Sequence, residues 1–165
     1  MFLQPAYLAA ALCAACLPNA AHAQAAVGAA ATAADNGANA AGIVKRSLGN
    51  VTLERAGQVQ AVKPGMAVRM GDVLRTGADG AAGITLSDDT LLTAGPGSEL
   101  VISDYRFDPV SHDGNVLASL WRGTLSVVTG LIGKKAPEKV NVQTRSLVLG
   151  SRGTEFIVET GGVAP

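Results

Sequence analysis

Four consecutive residues, Ser111-His112-Asp113-Gly114, set a hydroxyl, an imidazole and a carboxylate side by side. A hydrolytic triad needs those three groups to converge in space with the histidine in the middle. Neighbours in a polar loop rarely converge that way, so a solvated turn accounts for them. The stretch Gly71 to Thr90 holds four aspartates, Asp72, Asp79, Asp88 and Asp89, separated by seven, nine and one positions. A calcium loop needs oxygen ligands every second residue on one loop. Here the acids straddle a stretch that reads as a strand and sit beside Gly or Thr, where aspartate bonds its own backbone and closes turns. Gly150-Ser151-Arg152-Gly153-Thr154 resembles a phosphate loop only superficially. It lacks the terminal Lys-Ser/Thr pair, and no helix is expected after it. Arg152 is then a surface ion-pair partner or a ligand contact. One histidine outside the N-terminal segment leaves no zinc site to build, and no cofactor is expected.

The segment Gly130-Leu131-Ile132-Gly133-Lys134-Lys135 is of another kind. Two large apolar side chains between glycines, followed by two lysines, are expected at an exposed loop tip that contacts a partner. Leu131, Ile132, Lys134, Lys135 and Arg152 are therefore the candidate partner-binding residues.

The elements that must carry these residues are short. Ile84 and Leu86 alternate with Thr85 and Ser87, Val140 and Val142 with Asn141 and Gln143, and Phe156 and Val158 with Glu155 and Glu159. Alternation with period two marks half-buried strands. Pro64-Gly65, Gly71-Asp72, Asp79-Gly80, Asp88-Asp89, Gly95-Pro96-Gly97 and Asp113-Gly114 punctuate them. No stretch downstream of residue 46 holds a clean helical period over three turns. The expectation is one all-β domain of about ten short strands over residues 47–160, followed by a tail at 161–165. The aromatics Tyr105, Phe107, Trp121 and Phe156 are few, and the core is their default place.

Residues 1–23 have the layout of a secretory signal peptide: an apolar run from Ala6 to Leu17, Pro18, then Ala21-His22-Ala23 before Gln24. The run is too short for a bilayer span. Both cysteines, Cys13 and Cys16, fall inside it, so a mature chain has no thiol; lipidation at Cys16 stays open, with Cys13 standing where a lipoprotein signal prefers leucine. Residues 24–46 are rich in alanine and glycine and read as a flexible linker. The expected location is the periplasm, without a transmembrane helix in the mature chain. Formal net charge is zero, which argues against a nucleic-acid partner. Acids dominate residues 72–113, with eight against two bases, and bases dominate 122–152, with six against one acid. A wound β fold would interleave the two segments; separate faces would instead steer the domain to a charged partner.

Taken in order, Pro64-Gly65, Gly71-Asp72-x-Leu74-x-Thr76-Gly77, the Asp88-Asp89-Thr90 turn, Gly95-Pro96-Gly97-Ser98 and Arg152-Gly153-Thr154-x-Phe156-x-Val158 resemble the FecR domain. At the second turn the family often has Asp-Gly-Thr. The resemblance covers about residues 47–160. It implies a twisted, solenoid-like β domain on the outer side of the cytoplasmic membrane. In iron-uptake regulators similar to FecR, that domain belongs to a relay from an outer-membrane receptor to a cytoplasmic sigma factor. Those regulators also carry an anti-sigma segment, a membrane helix and a receptor-contacting domain, none of which is legible here, so what transfers is the module. The function expected is a non-enzymatic binding or signalling module with an envelope protein partner. The alternative is a structural or carbohydrate-binding envelope protein on the same module.

Overall fold

Alternating side chains need a sheet with one face buried, and twelve strands supply it, two more than expected from the sequence. The structure, a computed structural model, describes residues 40–150 and 154–161. The expected signal peptide, Cys13, Cys16, Arg152 and the tail beyond Gly161 lie outside the described residues. So does the expected linker from residue 24 to 39. Its remainder is corrected: Ala40–Leu48 forms the first strand, β1, with Ala41 and Val44 buried. Small residues suit this strand because it lies against its neighbour closely. A Cβ on Gly42 would sit 2.4 Å from the carbonyl oxygen of Thr85.

The strands form one curled sheet. In chain order they are β2 (Val51–Arg55), β3 (Gln58–Ala61), β4 (Ala67–Arg69), β5 (Val73–Thr76), β6 (Ala81–Leu86), β7 (Leu91–Ala94), β8 (Glu99–Phe107) and β9 (Gly114–Val128). A single turn of helix, α1 (Leu131–Lys135), and a 3-10 turn (Pro137–Lys139) precede β10 (Val140–Gln143), β11 (Val148–Gly150) and β12 (Glu155–Thr160). The path through the sheet runs β3-β2-β5-β8-β9-β7-β6-β1-β4. All these pairings are antiparallel. The exception lies off the path, where β10 runs parallel to the first half of β9, with Val140 opposite Val116.

β9 is the spine. Its first half pairs with β8 and β10, and its second half with β7 and β12. Between them the strand bends at Gly123, whose φ of 87° favours glycine. The bend also needs the absent side chain, since a Cβ on Gly123 would meet Ser98 Oγ at 2.3 Å. The Gly95-Pro96-Gly97-Ser98 turn fills this corner. Ser98 Oγ donates to the Thr124 carbonyl at 3.0 Å and accepts from the Thr124 N–H at 3.0 Å. Thr76 Oγ1 accepts the Ser98 N–H at 2.7 Å and donates to the Gly95 carbonyl at 2.6 Å. Both hydroxyls are buried and satisfied, which is what allows polar groups at the corner of a core.

Inside the curl, Leu53, Leu74, Ile84, Leu92, Leu100, Ile102, Leu120 and Leu125 form a continuous apolar core. Tyr105 joins it, with Phe107 and Phe156 partly buried at its margin. Trp121 departs from expectation: it is 50% exposed.

Candidate interaction surface

The residues around 130–135 are not an exposed tip. They form α1, and Ile132 at 1% exposure belongs to the core. Leu131 is half-buried, while Lys134 and Lys135 are exposed. Gly130 permits this seating, because its backbone presses on the Asp88–Thr90 turn, where a Cβ would lie 2.1 Å from the Asp88 carbonyl oxygen. The Leu131 N–H donates to that carbonyl at 2.7 Å, and the Gly130 N–H donates to Thr90 Oγ1 at 3.0 Å. The expected pair of exposed apolar side chains therefore does not exist. The lysine cluster is also partly engaged. Lys135 Nζ donates to the Ser111 carbonyl at 2.8 Å, and Lys139 Nζ meets Asp113 Oδ1 at 2.5 Å.

Those two lysines hold down the Ser-His-Asp loop, whose side chains point to separate partners. Ser111 Oγ donates to Asp108 Oδ2 at 2.7 Å. The His112 ring stacks on Phe107 with centroids 6.4 Å apart and planes 9° from parallel. The Ser111 hydroxyl that holds Asp108, and the Lys139 ammonium that holds Asp113, keep both carboxyls below the usual aspartate range. This is the arrangement of a stabilised turn, not of a nucleophile and its base.

Two aspartates of the 71–90 stretch are likewise matched to protein donors. Asp72, buried, receives the Arg55 guanidinium on both oxygens, at 2.8 and 2.6 Å, and the Arg69 N–H at 2.8 Å. Asp88, also buried, accepts from Thr90 Oγ1 at 2.6 Å and from the Tyr105 hydroxyl at 3.3 Å. That hydroxyl in turn accepts the Asp88 N–H at 3.0 Å. Burial and the nearby Asp88 charge push the Tyr105 hydroxyl far above its ordinary value. Asp89 stands in the left-handed region at φ 65°, which explains why a glycine suits this turn equally.

The acidic and basic segments interleave. Glu99 lies between Arg75, at 3.2 Å, and Arg122, at 3.5 Å, because β5, β8 and β9 are neighbours. No one-signed face results from these two segments at that point of the sheet.

What the sequence reading missed is a groove where β9 bends. The end of β10 and the end of β12 approach the same part of β9, with Gln143 opposite Ser119 and Thr160 opposite Gly123. Between them lies a cavity of about 580 Å³ whose walls include Trp121, Arg145, Leu147, Leu149 and Ile157. The Arg145 guanidinium stands 5.9 Å from the centroid of the Trp121 ring, a cation–π distance. Trp121, Leu147, Leu149 and Ile157 are four of the eleven exposed large apolar side chains among the described residues. Exposed apolar side chains scattered singly are ordinary, whereas a cluster around a groove marks a contact surface. The uninterrupted Leu147-Val148-Leu149 run on a short hairpin was the legible signal: it cannot alternate into a core.

The model of the FecR protein family matches residues 72–164, more than half of the chain. The chain belongs to the FecR family. No curated protein and no solved structure matches it. The family is a regulatory one, tied to signalling at the cell envelope. The matched segment starts at Asp72, yet this FecR sheet begins at Ala40, since β1 pairs with β6 from inside that segment. No described helix is long and apolar enough to cross a membrane.

Proposed function

We propose that this FecR-family chain is an exported, periplasmic, non-enzymatic binding module, and that it works in a trans-envelope relay of the iron-uptake type. Its partner is an envelope protein that docks on the groove at the bend of β9. The observation that carries this reading is the concentration of exposed apolar side chains around Trp121 and Arg145. Aromatic and arginine side chains are the residue types that dominate protein contacts. Leu131, Lys134 and Lys135 keep a lesser claim, because α1 offers little apolar area once Ile132 is in the core.

One observation favours a second reading. Trp121 also borders a smaller hollow of about 210 Å³ lined by Ser119, Gln143, Thr144 and Arg145. An open indole beside amide and hydroxyl groups suits a sugar ring, so the module would then bind envelope carbohydrate.

Site-specific photocrosslinkers at Trp121, Leu147 and Lys134 test the assignment in intact cells, together with fractionation. The expected outcome is a mature chain in the periplasmic fraction, crosslinked to one envelope protein from Trp121 and Leu147 and not from Lys134. Crosslinking from Lys134 alone would return the contact to α1. Loss of every crosslink after glycan digestion would favour the carbohydrate reading. Recovery of the chain in the cytoplasmic fraction would overturn export.

A further inference from the structure

β12 forms one side of the groove and pairs, among the described strands, only with β9. Which backbone groups face its other side follows from the ladder. The Thr129 N–H donates to the Thr154 carbonyl at 2.8 Å, in the same register that sets Glu155 opposite Val128. Hydrogen-bonded and non-bonded pairs alternate along an antiparallel ladder. Phe156, Val158 and Thr160 therefore direct their N–H and C=O groups to β9. Glu155, Ile157 and Glu159 direct theirs away from it. The same three residues are exposed, Ile157 at 67%. Their side chains make an acidic-apolar-acidic row above an edge of three donors and three acceptors that no described strand pairs.

An edge of this kind either adds a strand or is guarded against one. The charges decide which strand fits. A second copy adding antiparallel with Ile157 opposite Ile157 places Glu155 opposite Glu159 twice, and a parallel copy places each glutamate opposite itself. Like charges directly opposed disfavour both. A strand with a basic residue at each of those positions and an apolar residue between them turns both contacts favourable.

We propose that the edge of β12 facing away from β9 receives an extended segment of a partner protein with the pattern basic–x–apolar–x–basic, adding it as a further strand. Lys or Arg lies opposite Glu155 and Glu159, and the central apolar side chain covers Ile157. The end of the segment beside Thr160 enters the groove at Trp121 and Leu149, both of which line it with Ile157 and Thr160. The inference rests on the reading of the chain as a binding module, and it names the chemistry of the partner.

The probe is a synthetic peptide, Thr-Lys-Thr-Val-Thr-Lys-Thr, compared with its counterpart carrying Glu for both Lys, each titrated into the full chain and followed by backbone amide shifts. The lysine peptide should bind about tenfold tighter, as two cross-strand charge pairs change from like to opposite. Shifts should concentrate at Glu155, Ile157 and Glu159. The double variant Glu155→Lys/Glu159→Lys should invert the preference. Ile157→Pro removes an N–H that faces away from β9, so it should abolish binding of both peptides while the melting temperature stays close to wild type. A preference that the charge exchange leaves unchanged would overturn the proposal. So would undiminished binding to Ile157→Pro, or no binding of either peptide, in which case the glutamates only guard the edge. A dimer in sedimentation that Ile157→Pro dissociates would assign the edge to a second copy and overturn it equally. Crosslinking from Trp121 is read separately, so a lost peptide contact with a retained crosslink refutes the strand addition and leaves the module reading standing.

Discussion

Replacing Ile132 by alanine separates the two placements of the 130–135 segment. In the structure the side chain is 1% exposed, and its Cδ1 lies against the first residue of β9: a Cβ on Gly114 would be 2.6 Å from it. The substitution removes three carbons from the core, at about 0.8 kcal/mol each, and leaves a hole that the rigid strand above cannot fill. The sum is about 3 kcal/mol. Helix α1 sets the ceiling. Only Ile132 and Gly133 of its five residues are buried, and so short a helix has no stability of its own. Once Ile132 no longer anchors it, α1 can lift away and limit the loss. For a domain of this size the melting temperature should fall by about 10 °C. Leu131→Ala, at the neighbouring half-buried position, should cost under about 1 kcal/mol. Urea unfolding of both variants, with unchanged m-value, gives the comparison. Equal effects, or a loss below about 0.5 kcal/mol for Ile132→Ala, would place that side chain in solvent and restore the exposed tip.

Three further outcomes follow from the hydrogen-bonded turns. The Tyr105 hydroxyl is raised well above the ordinary tyrosine value by burial and then by the Asp88 charge, so the folded form favours the neutral phenol. Its contribution is complete below pH 10 and is lost as pH rises beyond that; alkaline unfolding followed by far-UV circular dichroism should move to higher pH in Tyr105→Phe. Asp113 is held low chiefly by Lys139, so its share of stability is present above the ordinary aspartate value and fades as pH falls toward the lowered one. Lys139→Ala should raise the Asp113 value in a carboxylate NMR titration; an unmoved value would show that the Gly114 N–H alone holds it. Asp89→Gly, at an exposed φ of 65°, should leave the protein as stable or up to about 1 kcal/mol more stable in thermal unfolding. A loss greater than that would show that the Asp89 side chain has a role of its own.

The strands that alternate cleanly in sequence are strands in the molecule: Ile84 and Leu86 are buried on β6, and Val140 and Val142 on β10. The failures have physical causes. β1 was legible only as linker because alanine and glycine carry little strand preference alone. What makes it a strand is its position between β4 and β6, and its register breaks between Val44 and Arg46 to follow the curl. Trp121 was assigned to the core by scarcity of aromatics. Along β9 the buried residues are Val116, Ala118 and Leu120, then Leu125 and Val127. The inward phase slips from even to odd positions across the bend at Gly123, and Trp121 and Arg122 are carried outward at the slip. The phase change is written in the sequence, but it becomes readable only once Gly123 is known to bend a continuous strand. Ile132 failed for the opposite reason: the glycines bracketing Leu131-Ile132 suggested an exposed tip, whereas Gly130 is there for close contact with the Asp88 turn.

Edge position is the property that no periodicity reveals. Glu155-Phe156-Ile157-Val158-Glu159 alternates as a central strand facing solvent would, and the exposed Ile157 looks like a flaw in the pattern. Topology changes its meaning. With β9 on one side and no described strand on the other, the outward residues carry the backbone groups that face away from β9 as well as the two carboxylates. Ile157 then sits where the proposed added strand needs apolar cover, and in that proposal the flanking acids discriminate among strands rather than simply solvating one. The same two glutamates on an interior strand would be paired across both ladders and would carry no such information. The proposed strand addition thus depends on β12 lying at an edge, a long-range outcome of β9 pairing its second half with β7 on one side and β12 on the other.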